Sequence, residues 1–244
     1  TREADDLTVR ILQEGFNDLQ KSLDAIIETL EYFGARVDER AALPADQRPD
    51  DLITLLVETE IDGEPLDRRH LLGTCFLLLL AGIDTTWSAI GSSLWHLATH
   101  PEDQARLRAE PDLIDSAVEE LLRVYSPVTM AREVIADVDV AGCPMKPGDK
   151  VLMSFPAANR DPAQFENPDE FIIDRERNRH VAFGSGIHRC LGSNLARMEL
   201  RVAIQEWLTR IPTFELADPA AVTWTGGQVR GPRTIPVRWS ATQP

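Results

Sequence analysis

The spacing of apolar residues at the start of the chain predicts a long helix. Between about Ala4 and Glu39 they recur every three or four positions, which is typical of an amphipathic helix. The positions concerned are Val9, Leu12, Phe16, Leu19, Leu23, Ile26, Ile27 and Leu30. Prolines between residues 41 and 50 end this helix, and Asp50 or Asp51 can cap a short helix that follows.

A second long helix is predicted in the middle of the chain. Asp67 can cap it, and no proline follows before Pro101, so it can span about 33 residues, on the order of 50 Å. Its central FLLLLAGI is apolar on every side, and we expect burial on all sides. The uninterrupted apolar stretch Cys75 to Ile83 is shorter than the roughly 18 residues that a membrane span needs. We therefore expect no membrane anchor.

Beyond Pro101 the pattern changes from helices to short strands. Pro101 and Pro111 predict helices near 102–109 and 112–125. The predicted fold class is mainly α with small antiparallel β-sheets, in a single domain 1–244. Its parts are 1–126, mainly helical with the long helix at about 67–99; 127–156, a small β-sheet; 157–189, a long loop; and 190–244, a helix and terminal strands.

Composition and charge narrow the class of protein. The 244 residues are 43% hydrophobic and 27% charged, as in a folded soluble protein. A net charge of -15 argues against nucleic acid as a partner. Three cysteines without a CxxC pair, and an N-terminus without an apolar signal segment, fit a reducing compartment, and we expect a cytoplasmic protein.

The most specific motif is a cysteine in a glycine-rich segment. Phe183, Gly186, Cys190 and Gly192 form the order F-x-x-G-x-x-x-C-x-G immediately before a predicted helix. The positive end of a helix dipole favours a thiolate, which is the form that ligates a metal. Glycines let the backbone pass close to a flat cofactor. A buried structural cysteine beside a turn is the alternative explanation.

This segment resembles the haem-thiolate loop of the cytochrome P450 family, and the chain resembles the C-terminal part of that haem domain. The resemblance implies that Cys190 is the axial iron ligand of haem b, iron protoporphyrin IX. It also implies that His188 and Arg132 bind the haem propionates, which are costly to bury unpaired. A structural histidine and a solvated strand arginine are the alternatives.

A second match lies in the long helix, in AGIDTT. An Asp-Thr pair in an apolar helix needs hydrogen-bonding partners or a function. By resemblance, Asp84 and Thr85 are the acid-alcohol pair that relays protons to bound oxygen. Ala81 and Gly82 would leave room for dioxygen above the iron. A polar pair in the core without a function is the other explanation.

The third match is Glu120 and Arg123, three residues apart on one helix face. The spacing alone is weak evidence, because a surface pair contributes only tenths of a kcal/mol. By resemblance they form the family's structural ion pair. Arg175, Arg177 and Arg179 are the candidates for the residue that completes it.

Two further interpretations concern the partners. Val128, Met130 and Val229 match segments that line the substrate side of the pocket, although they can equally be ordinary core and turn residues. Arg189, Arg197 and Arg201 form a basic group in an acidic chain, which predicts docking of an acidic electron donor such as a ferredoxin or a flavodoxin-like protein. Charge balancing by neighbouring glutamates is the alternative.

The predicted function is that of a haem-thiolate monooxygenase. Electrons from NAD(P)H, delivered by redox partners, would allow one atom of dioxygen to enter an apolar small molecule, whose identity the sequence does not specify. The resemblance begins partway along the family's fold, because family members carry a further N-terminal region. A catalytically inert fragment or a haem-binding pseudoenzyme is therefore the alternative.

Overall fold

A computed structural model describes residues 7–11 and 18–239 of the chain. The chain forms two compact units, Thr1–Asp84 and Thr85–Pro244, and each is described by itself. The single-domain assignment stays a prediction.

In the first unit, helical structure is present at residues 7–11 and resumes at Leu19. The single helix predicted from Ala4 is therefore wrong, because extended backbone at Asp18 separates the two pieces. The Asp18 carboxylate accepts a hydrogen bond from the Lys21 N–H at 3.2 Å and so caps the second piece. Leu12 and Phe16, which belonged to the predicted stripe, lie outside the described residues.

The elements of the first unit follow in short succession. They are α1 (Leu19–Ala42), α2 (Leu52–Val57), β1 (Glu60–Ile61), β2 (Glu64–Pro65) and the first part of α3 (Arg68–Thr99). The predicted caps are confirmed: Asp51 accepts from the Thr54 N–H at 2.9 Å, and Asp67 accepts from the His70 N–H at 2.8 Å. These bonds satisfy donors that a helix start leaves free.

Helix α3 is continuous, but the prediction that its centre is buried on all sides is wrong. Leu77 is 63% exposed, whereas Phe76 and Leu80 pack against the cluster of Leu7, Ile11 and Ala25. Within the first unit this cluster covers one side of the helix only. By length and composition α3 is apolar enough to cross a membrane, with a mean hydropathy of 1.5 over 18 residues; core helices of soluble proteins share this property.

The second unit contains the remaining helices and four two-stranded antiparallel sheets among the described residues. Its helices after α3 are α4 (Pro101–Ala109), α5 (Ile114–Val124), α6 (Phe155–Ala158) and α7 (Ser193–Arg210). Its strands are β3 (Thr129–Glu133), β4 (Val138–Val140), β5 (Cys143–Met145), β6 (Lys150–Ser154), β7 (Phe214–Leu216), β8 (Thr223–Thr225), β9 (Gly231–Thr234) and β10 (Val237–Trp239). Strand β3 pairs with β6, β4 with β5, β7 with β10, and β8 with β9, which confirms the mainly helical fold class with small sheets.

The core of the second unit joins α3, α5 and α7. Leu97, Leu121, Leu200 and Ile204 are almost fully buried in one cluster. Apolar residues on another side of α7 are exposed, namely Leu195, Met198 and Val202. Gln104 ties α4 to β7, because its side-chain amide donates to the Phe214 carbonyl at 3.0 Å and accepts from the Phe214 N–H at 3.1 Å.

Candidate functional site

The cysteine motif forms a loop that ends just before α7. Gly186–His188 is a single 3-10 turn, and α7 begins at Ser193, three residues after Cys190. Gly184 and Gly186 have positive φ angles of 70° and 66°, which side chains rarely adopt. The Cys190 N–H donates to the Phe183 carbonyl at 2.8 Å, which fixes the cysteine backbone at the end of the loop.

The residues of the loop fit a haem. Cys190 is a free thiol and is exposed, so its sulfur is accessible to a metal. Ile187 and Leu191 beside it are 98% and 90% exposed, an arrangement that a flat apolar cofactor would cover. A Cβ added at Gly192 would stand 4.0 Å from the Cys190 Sγ, and one added at Gly186 would meet no described atom within 4 Å. A Cβ at Gly192 would thus stand at ordinary contact distance from the sulfur, and Gly186 has open space beside it.

The two residues predicted to bind propionates lie on different elements. His188 is exposed at the end of the 3-10 turn, two residues before the cysteine. Arg132 lies on β3 opposite Val151 of β6, and its guanidinium donates to the Ala131 carbonyl at 2.8 Å. Both side chains carry N–H groups that can donate hydrogen bonds to a carboxylate. Their role in binding the propionates stays a prediction.

Glu120 and Arg123 form a buried ion pair on α5. Both side chains have no exposed surface, and two guanidinium nitrogens each donate to a Glu120 oxygen at 2.8 Å. Arg175 is the third member among the three candidates, with its Nε 3.0 Å from both Glu120 oxygens. Burial raises the pKa of Glu120, but hydrogen bonds from Arg123, the Ile172 N–H and Arg175 outweigh it and lower the pKa.

The long loop after α6 is held by hydrogen bonds from Arg123 and Asn159. Arg123 donates to the carbonyls of Asn159, Pro168 and Glu170 at 2.6–2.9 Å. The Asn159 side chain donates to the Ser126 hydroxyl at 2.6 Å and accepts from the Val181 N–H at 2.7 Å. Ordered polar contacts therefore replace a helix or strand as the support of this segment.

The AGIDTT segment lies within α3, which is helical throughout this stretch. Asp84 is only 2% exposed, whereas Ala81 and Gly82 are exposed. A Cβ added at Gly82 would meet no described atom within 4 Å. The acid-alcohol role of Asp84 and Thr85 stays a prediction.

The residues predicted for the substrate side are neighbours in the second unit. Val128 and Val229 form an isolated antiparallel bridge, and the Thr129 N–H donates to the Gln228 carbonyl at 2.9 Å. The Gln228 amide lies 3.8 Å from the Met130 sulfur. The chain thus brings Val128, Met130 and Val229 together, and their contact with a substrate stays a prediction.

The basic group at α7 is less free than its sequence suggested. Arg197 forms two hydrogen bonds with Glu119, at 2.6 and 3.0 Å, and its guanidinium lies over the Phe183 ring. Arg201 is 3.7 Å from Asp115, and Arg189 is exposed in the loop. Sequence reasoning missed Glu119, although it stands directly before Glu120 on the same helix.

Comparison with known proteins agrees with the fold and the loop. The architecture and the cysteine motif define a helical protein with a single cysteine presented by a glycine-rich loop. The family model described as Cytochrome P450 matches residues 5–218, and the chain belongs to the cytochrome P450 family.

Curated relatives and solved structures cover nearly the whole chain. A probable cytochrome P450 127A1 of Sinorhizobium fredii is 39% identical over 84% of this chain and 50% of its own length. The cytochrome P450 monooxygenase PikC of Streptomyces venezuelae is 36% identical over 97% of this chain and 58% of its own. The structure of PksS, a bacillaene polyketide synthase cytochrome P450 of Bacillus subtilis, superposes with a TM-score of 0.88 and 37% identity over 96% of this chain and 60% of its own.

The chain spans about half to 60% of the length of these relatives. Membership of the family implies monooxygenase chemistry at the level of the family.

Proposed function

We propose that the chain is the haem-binding part of a monooxygenase that inserts one atom of dioxygen into an apolar small molecule. The observation that carries the proposal is Cys190, a free exposed thiol at the end of a glycine-rich loop, in a chain of the cytochrome P450 family. When bound, haem b would supply oxygen activation with electrons from NAD(P)H, so that one oxygen atom enters the substrate and the other leaves as water.

Three side chains would hold the haem. The Cys190 thiolate would ligate the iron, and its fixed N–H, bonded to Phe183, would keep the sulfur in place. His188 and Arg132 would donate to the two propionates, because buried carboxylates need charged or hydrogen-bonding partners. The exposed Ile187 and Leu191 would pack against the apolar surface of the ring.

Asp84 and Thr85 would move protons on the oxygen side. The Thr85 hydroxyl can donate a hydrogen bond to an oxygen atom. After proton transfer, the neighbouring Asp84 can return a proton to the hydroxyl. The nearly complete burial of Asp84 supports a role that depends on exclusion of bulk water. The open space at Gly82, next to the exposed Ala81, would accommodate dioxygen.

An apolar substrate is supported by the side chains on the predicted substrate side, Val128, Met130 and Val229. The relatives include a polyketide biosynthesis cytochrome P450 of Bacillus subtilis and a steroid C26-monooxygenase of Mycolicibacterium smegmatis, so large apolar molecules are the class to screen first. We place the protein in the cytoplasm, where an acidic electron donor would dock near Arg189 and Arg201, because Arg197 is bound to Glu119. Reversal of Arg189 and Arg201 to glutamate should then slow reduction by the donor and weaken its salt dependence.

The deciding experiment is spectral. The chain is reconstituted with haem, reduced and exposed to carbon monoxide, and a strongly red-shifted Soret band is expected from thiolate ligation. Cys190→Ser should still incorporate haem without giving that band, and Cys143→Ser is the matched control at another exposed cysteine. Absence of the band in the unaltered chain would contradict the proposal.

A second measurement separates catalysis from haem binding. NAD(P)H-linked product formation is measured with a redox partner system and a panel of apolar substrates that give a spin-state change. Thr85→Ala should consume NADPH with less product, because proton delivery is misdirected. A normal Soret band without any product across the panel would favour the haem-binding pseudoenzyme.

A further inference from the structure

Two adjacent glutamates on α5 contact two different segments of the chain. Glu120 binds Arg175 in the long loop, whereas Glu119 binds His180 and Arg197. His180 lies 61 residues after Glu119, and Arg197 lies 78 residues after it. Glu119 therefore joins α5 to both flanks of the cysteine loop, one before Cys190 and one after it.

The contact between Glu119 and Arg197 has the geometry of a strong ion pair. Arg197 Nε is 2.6 Å from one carboxylate oxygen and Nη2 is 3.0 Å from the other, which is the paired fork arrangement. The guanidinium carbon also lies 4.5 Å from the centre of the Phe183 ring, within cation–π distance. A lysine would not reproduce both contacts, because it lacks the planar fork.

His180 binds the same carboxylate, at the oxygen that also accepts from Arg197 Nη2. Its Nε2 donates to Glu119 at 3.0 Å, and its Nδ1 accepts from the Ala182 N–H at 3.2 Å. Both ring nitrogens are thus used, one by the Glu119 carboxylate and one by the Ala182 N–H. Because Ala182 immediately precedes Phe183, this bond fixes the backbone at the start of the loop.

The last contact reaches the cysteine itself. Phe183 places its ring under Arg197, and its carbonyl accepts the Cys190 N–H at 2.8 Å. Glu119 is therefore connected to Cys190 through Arg197 and Phe183, and to the same phenylalanine through His180 and Ala182. No other described carboxylate pairs with Arg197 or His180.

We infer that Glu119, His180 and Arg197 form a positioning cluster that holds Phe183 and, through its carbonyl, the backbone of Cys190. Arg197 then acts inside the protein and is not a freely available charge for an electron donor. The inference rests on the proposed function for the role of Cys190 as a ligand, whereas the loop geometry stands without it. The three residues are positioning residues, because they act on Cys190 through Phe183.

Glu119 carries a negative charge around neutral pH. Burial raises the pKa of Glu119, but hydrogen bonds from His180 and Arg197 outweigh it and lower the pKa to about 2. The carboxylate is consequently ionised in the folded protein at neutral pH. Replacement by glutamine keeps the shape of the side chain and removes its charge.

The first test follows hydrogen exchange at the Cys190 amide in the full chain without haem. Glu119→Gln and Arg197→Lys should each accelerate exchange at this amide by about tenfold, as expected when a charge-assisted contact that closes the loop is lost. Arg201→Lys, one turn further along the exposed side of α7, is the matched control and should leave it unchanged. Amides of the buried Ile204 turn report global opening and should not change.

Two outcomes would overturn the inference. Exchange at Cys190 that stays the same in Glu119→Gln and Arg197→Lys would show that the cluster does not hold the loop. Equal acceleration at Cys190 and at Ile204 would show a loss of overall stability instead of loop positioning. Glu119→Asp, which keeps the charge, should exchange more slowly than Glu119→Gln.

The second test uses the haem-loaded chain and measures thiolate ligation of the iron, not catalytic turnover. Glu119→Gln should decrease the fraction of the reduced carbon monoxide complex that gives the red-shifted Soret band, while Arg201→Lys should not. If the unaltered chain binds no haem, the proposed function fails and the exchange experiment still decides the inference. If haem binds and the variants show unaltered exchange and spectra, the inference fails alone.

Discussion

Gly231 at the start of β9 is the position where a single methyl group should have a large effect. The residue is buried, and a Cβ added there would stand 2.6 Å from the Ser88 Oγ and 2.7 Å from its Cα, and closer still to its Cβ. Carbon atoms in contact are normally about 3.5–4.0 Å apart, so the overlap is about 1 Å. Ser88 belongs to α3, and rotation of its side chain cannot move its Cα.

Gly231→Ala should therefore force β9 away from α3. Overpacking of this kind costs about 1–3 kcal/mol, and we expect a value at the upper end because the clash includes helix backbone. The φ angle of Gly231 is not in the positive range, so the cost is steric and not conformational. The displacement would also be felt at Arg230, whose N–H donates to the Pro127 carbonyl at 2.7 Å beside the Val128–Val229 bridge.

Urea unfolding of Gly231→Ala beside Gly226→Ala measures this effect. Gly226 has no neighbour within 4 Å of an added Cβ among the described residues and no positive φ, so alanine there should change the free energy of unfolding by less than about 1 kcal/mol. Ser88→Gly combined with Gly231→Ala should recover part of the loss. Equal stabilities of the two alanine variants, or no coupling with Ser88, would refute the close approach of β9 to α3.

Three further predictions concern buried polar groups in the second unit. Arg123→Ala should cost about 3–5 kcal/mol in urea unfolding, because it leaves the buried Glu120 carboxylate without its main partner; a cost below 1 kcal/mol would contradict its burial. Arg175→Lys keeps the charge but loses the guanidinium contacts, and should lower stability by about 1–3 kcal/mol. Burial, with a contribution from His100, lowers the pKa of His96 to about 3. The neutral form of His96 therefore stabilises the fold fully above pH 6.5, and this stabilisation is lost as the pH falls towards 3. His96→Asn should remove that dependence between pH 7 and 5, and an unchanged pH profile would show that His96 does not cause it.

Local signals in the sequence were sufficient for helix ends and for the cysteine motif. Asp51 and Asp67 cap helices as their positions predicted, because a cap depends on residues only three positions away. Asp18 carries the same signal before Leu19, and the regular apolar spacing across it concealed the helix start.

Contacts between distant segments were not predictable from spacing. The choice of Arg175 over Arg177 and Arg179 depends on how the long loop folds back onto α5. The pairing of Arg197 with Glu119 joins residues 78 positions apart, and no periodic pattern indicates it. Exposure of Leu77 was missed because an apolar helix centre predicts burial but does not show which segment of the chain covers it.

The contact of Gln104 with Phe214 has a consequence for how the chain folds during synthesis. The two residues are 110 positions apart, and the side-chain amide of Gln104 lacks two of its hydrogen bonds until Phe214 is in place. At about 5–20 residues per second, translation separates them by roughly 5–20 seconds. For that interval α4 is present on the ribosome without β7, and the second unit can close only after most of the chain has emerged.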